Sequence, residues 1–239
     1  MTASPPPGTA GALAQLDAEV RDCLACPRLV AWRRAVAAPG ARGRRPGEYA
    51  SSGIPGFGDP TARLLVVGLA PAAHGANRTG RMFTGDRSGD VLVAALARAG
   101  FANQPESRSA ADGLVLTGAY LSAPVRCAPP QNRPLPSERA ACAPFLAREL
   151  ALLSEVRVVL ALGAYALDAL WRLGTAVGAA GARPRFSHGA ELPLAPRCSG
   201  ATDRTLLCSY HPSQRNVFTG RLTPAMLDAV IERARELCA

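Results

Sequence analysis

Three features of this sequence carry side chains able to do chemistry: a set of cysteines, a glycine-rich loop and a tail with a histidine. Cys23 and Cys26 form a Cys-x-x-Cys pair followed by Pro27-Arg28-Leu29, and Cys127 and Cys142 flank the segment 128–141. Four thiolates suit zinc or an iron–sulfur cluster, because both centres accept tetrahedral sulfur, and the spacing alone does not choose between them. Cys198, Cys208 and Cys238 are isolated or lie among apolar residues, and read as buried core thiols. The segment 68–86, GLAPAAHGANRTGRMFTGD, follows the apolar run LLVV directly. Gly68, Gly75, Gly80 and Gly85 let its backbone amides approach a ligand or a phosphate. Arg78 and Arg81 bring positive charge, Phe83 offers a face for base stacking, and His74 and Asp86 are titratable. No Gly-x-Gly-x-x-Gly fingerprint is present, so a dinucleotide site is a weak reading. A structural role competes for Asp86, since TGDRSGD also reads as a helix-capping segment. Towards the end of the chain, Tyr210-His211-Pro212-Ser213-Gln214-Arg215-Asn216 sets a histidine at the end of an apolar run, ahead of a proline-fixed turn.

These residues must be positioned by the apolar runs that precede them. Four such runs, rich in Val and Leu, occupy 63–68, 119–125, 156–162 and 204–210, and each is followed by a loop and a helical pattern. Ser137-Glu138 after Pro136, and Thr223 before Pro224, mark two helix starts. Alternation of this kind predicts an α/β fold whose parallel sheet is covered by helices on both faces. Ligands then bind beyond the carboxyl ends of the strands, which singles out 69–87, 126–136, 163–165 and 211–222. Leu13, Leu16 and Val20 recur at helical spacing ahead of the first cysteine pair, and LVAWRRAVAA after it is helical again. Residues 1–12 read as a disordered tail and 13–239 as one domain. The segment 39–60, with Arg42, Arg44 and Arg45 among its glycines and prolines, is basic and irregular.

Composition narrows the partner. With 239 residues, 48% of them apolar, the chain can bury a sizeable core, and its net charge of +9 favours a polyanion. All 27 basic residues are arginine, so each cationic contact is a planar fork suited to phosphate oxygens. No lysine is available to form a Schiff base with an opened sugar. MTASPPPGTAGALA lacks the basic start and apolar core of a signal peptide, and Glu155, Arg157 and Asp168 interrupt the most apolar stretch. An intracellular protein with reduced thiols is the expectation, and there cysteines point to metal or chemistry before disulfides.

Taken together, the loop 68–86, the segment VRCAPPQNRP, the tail SYHPSQRN with TGRLT, and the four cysteines resemble the type-B, or fifth-family, uracil-DNA glycosylases. The resemblance runs from about residue 20 to 237 and its combined motifs are specific. It implies a three-layer α/β/α fold with a central four-stranded parallel sheet, and a [4Fe–4S] cluster held by Cys23, Cys26, Cys127 and Cys142. It implies a monofunctional enzyme that removes uracil, and deaminated purines such as hypoxanthine, from double-stranded DNA. Carried over by motif, Asp86, Asn132 and His211 are the catalytic set. Phe83 would stack on the flipped base, and Gly68, Ala70, His74, Ala123, Arg215 and Asn216 are the further substrate-binding candidates. Leu69 and Ala123 stand where relatives restricted to uracil carry a glutamate and an asparagine, which predicts a permissive pocket. A monomeric, cytoplasmic, nucleoid-associated protein with no membrane contact completes the expectation.

Breaking an N-glycosidic bond leaves positive character on the sugar and negative charge on the base. It calls for a donor to the base, a negative group near the sugar, and a water. His211 and Asp86 can supply the first two. The rival readings are a DNA-binding module without catalysis, stabilised by zinc or an iron–sulfur cluster, and an iron–sulfur electron carrier.

Overall fold

The computed structural model describes residues 8–44, 48–175, 182–194 and 204–239. Cys198, Arg45 and residues 1–7 of the expected tail lie outside them, whereas 9–12, placed in that tail by their sequence, are already helical, because Leu13, Leu16 and Val20 bury one face of a helix that begins ahead of them. In chain order the elements are α1 (Thr9–Asp22), α2 (Pro27–Ala35), β1 (Phe57–Gly58), β2 (Leu64–Val67), α3 (Ala76–Thr79), α4 (Arg87–Arg98) and β3 (Ala119–Ser122). After a 3-10 turn at Pro130–Asn132 come α5 (Pro136–Leu152), β4 (Val158–Leu162), α6 (Ala164–Thr175), β5 (Glu191–Leu194), β6 (Arg204–Ser209), α7 (Gln214–Phe218) and α8 (Pro224–Cys238).

The four apolar runs become β3, β2, β4 and β6, side by side and parallel. The sheet is nevertheless six-stranded, in the order β1-β3-β2-β4-β6-β5, with β1 and β5 antiparallel at its edges. Neither edge strand carries a run of Val and Leu: β1 is Phe-Gly and β5 is Glu-Leu-Pro-Leu. An edge strand is covered less and tolerates proline, so hydrophobic patterning does not reveal it. Interior strands are buried on both faces, which explains why they read as unbroken apolar runs. In β2, Leu64 and Val66 enter one core and Leu65 and Val67 the other.

Those two cores define the layers. Leu92, Val93 and Leu96 of α4 and Leu227, Val230 and Ile231 of α8 cover one face of the sheet. Leu13 of α1, Leu146 and Leu150 of α5, and Leu167 and Leu170 of α6 cover the other. Helix α8 starts as predicted, with Thr223 Oγ1 accepting from Met226 N at 3.2 Å. Helix α5 also starts as predicted, at Pro136, with Glu138 closing its first turn through Oε2, which accepts from Leu135 N at 2.7 Å. Cys208 and Cys238 are buried core thiols, as expected.

Candidate active site

Helix α4, which follows β2, packs on one face of the sheet, whereas α6, which follows β4, packs on the other. The chain therefore parts between these two adjacent strands, and a crevice opens beyond their carboxyl ends. A cavity of about 330 Å³ occupies it. Its lining draws on all four segments singled out in the sequence, through residues such as Ala70, Asn132, Tyr165 and His211.

Asp86 lines this cavity and caps α4: its Oδ1 accepts from Ser88 N at 2.9 Å and Gly89 N at 3.1 Å. The capping role and the site role thus fall on one carboxyl group. Gly75 makes room for it, since a Cβ there would stand 2.1 Å from Asp86 Oδ2. Phe83 lines the same cavity with φ of 50°, a left-handed conformation that is rare for an aromatic residue. Its ring rests on Gly68, where a Cβ would come within 2.5 Å of Phe83 Cζ. Asn132, at the end of the 3-10 turn, is also left-handed with φ of 55°. Backbone strain of this kind collects at functional sites, at about 1–3 kcal/mol per residue. Across the cavity stands His211, its ring centroid 6.3 Å from that of Phe83 at a tilt of 30°. Burial pulls its imidazole down to about 4, so the ring is neutral at neutral pH.

Asp86, Asn132, His211, Phe83, Ala70 and Ala123 therefore share one cavity. The other candidates stand behind or beside it. Gly68 is the floor under Phe83. Asn216 braces the site from outside, its Nδ2 donating to the His211 carbonyl at 2.8 Å. His74 turns away to Tyr49, whose hydroxyl is 2.8 Å from its Nδ1. Arg215 is exposed on α7. The two loop arginines are braces: Arg78 Nε donates to the His74 carbonyl, and buried Arg81 pairs with Asp112 at 2.8 Å. Tyr165 and Ser213 are lining residues that the sequence did not single out, although both sit in flagged segments. The Tyr165 hydroxyl is buried without a hydrogen-bond partner.

A second group of residues adjoins the cavity. Cys23 closes α1, Cys26 opens α2, Cys127 follows β3, and Cys142 lies within α5. Cys127 packs with Leu29 and Val125, and Cys26, Ala70 and Tyr165 join them, so the cysteine site shares Ala70 and Tyr165 with the cavity wall. Burial pushes Cys142 up to about 12 and raises Cys127, against the opposing pull of Arg126 and Arg33, and the neighbouring sulfurs add a smaller rise. Two donors face the sulfurs, Arg33 Nη1 at 2.9 Å from Cys127 Sγ and Arg126 N at 3.3 Å from Cys142 Sγ. Donors aimed at sulfur fit thiolate ligands. Among the described residues, no three His, Cys, Asp or Glu side chains gather as they would on a single metal ion. Four cysteines are the donor set that an iron–sulfur cubane takes, one thiolate to each iron.

The family model for the uracil DNA glycosylase superfamily matches residues 55–235. The chain is 52% identical over 231 residues to the type-5 uracil-DNA glycosylase of Mycobacterium bovis, covering 96% of this chain and 83% of that one. It is 49% identical to the type-5 enzyme of Thermus thermophilus over 215 residues, 90% of this chain and 93% of the other. Similarity to the type-4 uracil-DNA glycosylase of Pyrobaculum aerophilum is lower, 31% over 127 residues, or 53% of this chain and 57% of that one.

Proposed function

The chain belongs to the type-5 branch of the uracil-DNA glycosylase superfamily, and from that footing we propose that it excises uracil and other deaminated bases, hypoxanthine among them, from double-stranded DNA, leaving an abasic site. The observation that carries this reading is the shared cavity of Asp86, Asn132, Phe83 and His211 at the sheet's carboxyl end.

Water adds to the anomeric carbon as the bond to the base breaks; the bond's electron pair leaves with the base, and the proton released by the water ends on that base. Asp86 stabilises positive character on the sugar and orients the water, while a neutral His211 donates an N–H to the departing base. Asn132, held in its left-handed turn, offers an amide to the base edge or to the water. Phe83 stacks on the flipped base. Flipping costs a few kcal/mol and less at a mispaired site, which favours deaminated bases. Leu69, Ala70, Ala72 and Ala123 present few polar groups, and an apolar wall discriminates weakly between bases. Exposed Arg87 and Arg133, next to lining residues in the chain, and Arg215, two residues beyond the lining Ser213, meet the phosphates.

Cys23, Cys26, Cys127 and Cys142 hold a [4Fe–4S] cluster whose contribution is structural, tying α1 and α2 to the sheet. Among the described residues no helix is long and apolar enough to cross a membrane, and a cytoplasmic, monomeric enzyme of DNA repair fits this reading.

The test is a panel of duplexes carrying uracil, hypoxanthine, xanthine or ethenocytosine, scored by strand scission after alkali. Release of uracil and hypoxanthine at comparable rates is the expected result. Release of uracil alone removes the permissive-pocket argument, and binding without any release favours the DNA-binding module.

A further inference from the structure

Arg33 lies in the arginine pair of α2, and its neighbour Arg34 is exposed, yet Arg33 itself is only 2% exposed. A buried guanidinium carries a desolvation cost of several kcal/mol that an anion must offset. Among the described residues it meets no carboxylate. Its Nη1 donates to Cys127 Sγ at 2.9 Å and its Nη2 to the Cys23 carbonyl at 3.2 Å, while Nε is buried without a partner. Among the described residues, the one group in contact with it that can carry negative charge is the Cys127 sulfur. Its main chain reaches the other way. Asn77, fully buried on α3, donates through Nδ2 to the Arg33 carbonyl at 3.2 Å and to the Ala73 carbonyl at 3.3 Å. The Asn77 amide also donates to the carbonyl of Ala72, and both Ala72 and Ala76 line the cavity.

We propose that Arg33 is the buried counter-charge of the cysteine site, and that with Asn77 it is a positioning residue fixing the base-facing loop against that site. This rests on reading the four cysteines as the ligands of a cluster. Four thiolates around a cubane leave net negative charge, and a guanidinium bonded to one sulfur favours the more reduced state. Because the contact is dry, the effect is strong. Cluster and loop are then one mechanical unit, linked from Cys127 through Arg33 and Asn77 to Ala72.

The full-length protein, purified without oxygen, provides three readouts: the midpoint potential of the cluster, iron release to a chelator, and single-turnover release of uracil. Arg33→Gln should shift the potential to more negative values and release iron about 10–100-fold faster, the scale for removing a hydrogen-bond partner of a metal ligand. Arg33→Lys keeps the charge without the fork, so its potential should stay nearer the wild type while iron loss still accelerates. Asn77→Ala should keep wild-type iron and potential but slow uracil release by up to about 10²-fold, the cost of a small misplacement at the chemistry. Wild-type potential and iron retention in Arg33→Gln would overturn the role of Arg33. Should that variant fail to fold, wild-type iron retention in Arg33→Lys would do so. Unchanged uracil release in Asn77→Ala overturns the link to the loop. Iron-free wild-type protein sinks the cluster reading instead, and so separates the two failures.

Discussion

The Oδ1 atom of Asp86 is committed to the first turn of α4, and the same carboxyl group faces the cavity. Asparagine caps a helix as well as aspartate does, so Asp86→Asn keeps the cap and removes only the charge. Single-turnover uracil release should fall by roughly 10²–10⁴-fold, the scale of a positioned catalytic group. The melting temperature should stay close to that of the wild type, since losing the cap outright costs only about 1 kcal/mol. A near-normal rate would move the catalytic role to Asn132 and His211. His211 makes a different prediction because burial has already taken its proton away. Its pKa falls from the ordinary 6.5 to about 4, so it is neutral through the physiological range. The single-turnover rate should therefore show no histidine inflection between about pH 8 and pH 5 and should weaken only on approach to 4. The stability consequence has the same direction. Below 6.5 the unfolded chain takes up a proton that the folded site refuses, so stability falls as pH drops from 6.5 towards about 4. A rate profile breaking near 6.5 would show that the imidazole is not held neutral.

At the scale of the element, the loop between β2 and α4 is shaped by contacts that leave no volume to spare. Phe83 presses on Gly68, Asp86 presses on Gly75, and Arg78 and Arg81 are spent on carbonyls, Thr84 and Asp112 within and beside the loop. Gly75→Ala should therefore displace the Asp86 carboxyl group, because the new methyl would stand 2.1 Å from Oδ2 and 2.8 Å from the Asp86 Cβ. We expect uracil release to slow by about 10²-fold, the usual scale for an ångström of misplacement, with DNA affinity little changed. Loss of affinity in parallel with rate would mean that the loop had collapsed as a whole. The positive φ values of Phe83 and Asn132 belong to the same picture, in which surrounding packing forces two lining residues into conformations their own preferences oppose.

For the whole molecule, the absence of lysine limits the chemistry. All 27 basic residues are arginine, and a strand-cutting lyase requires an amine nucleophile. Borohydride should fail to trap a covalent adduct between the protein and uracil-containing DNA. Efficient trapping would show that the reaction proceeds through the α-amino group and not through water. The same arginines make binding depend on salt. Replacing Arg133 by alanine should weaken binding about equally for every duplex and lower the slope against log salt by about one, the signature of a phosphate contact.

The sequence by itself determined the four interior strands, the end of the sheet at which the cavity opens, and the chemical character of the loops there. Strands buried on both faces must be apolar throughout, and loops at their carboxyl ends must carry the polar groups. It also determined the capped start of α8, a local matter of one hydroxyl and one amide. Tertiary structure decided what depends on distance across the chain. The edge strands β1 and β5 pair through their backbones, which leaves no pattern in side-chain type. Arg81 and Arg33 look like surface charges in sequence, but Asp112 and Cys127 meet them from 31 and 94 residues away. His74 and Asn216 sit in the right motifs, yet one turns to Tyr49 and the other braces the His211 carbonyl. Spacing along the chain determines which loop a side chain joins; its direction within that loop depends on partners far away in sequence.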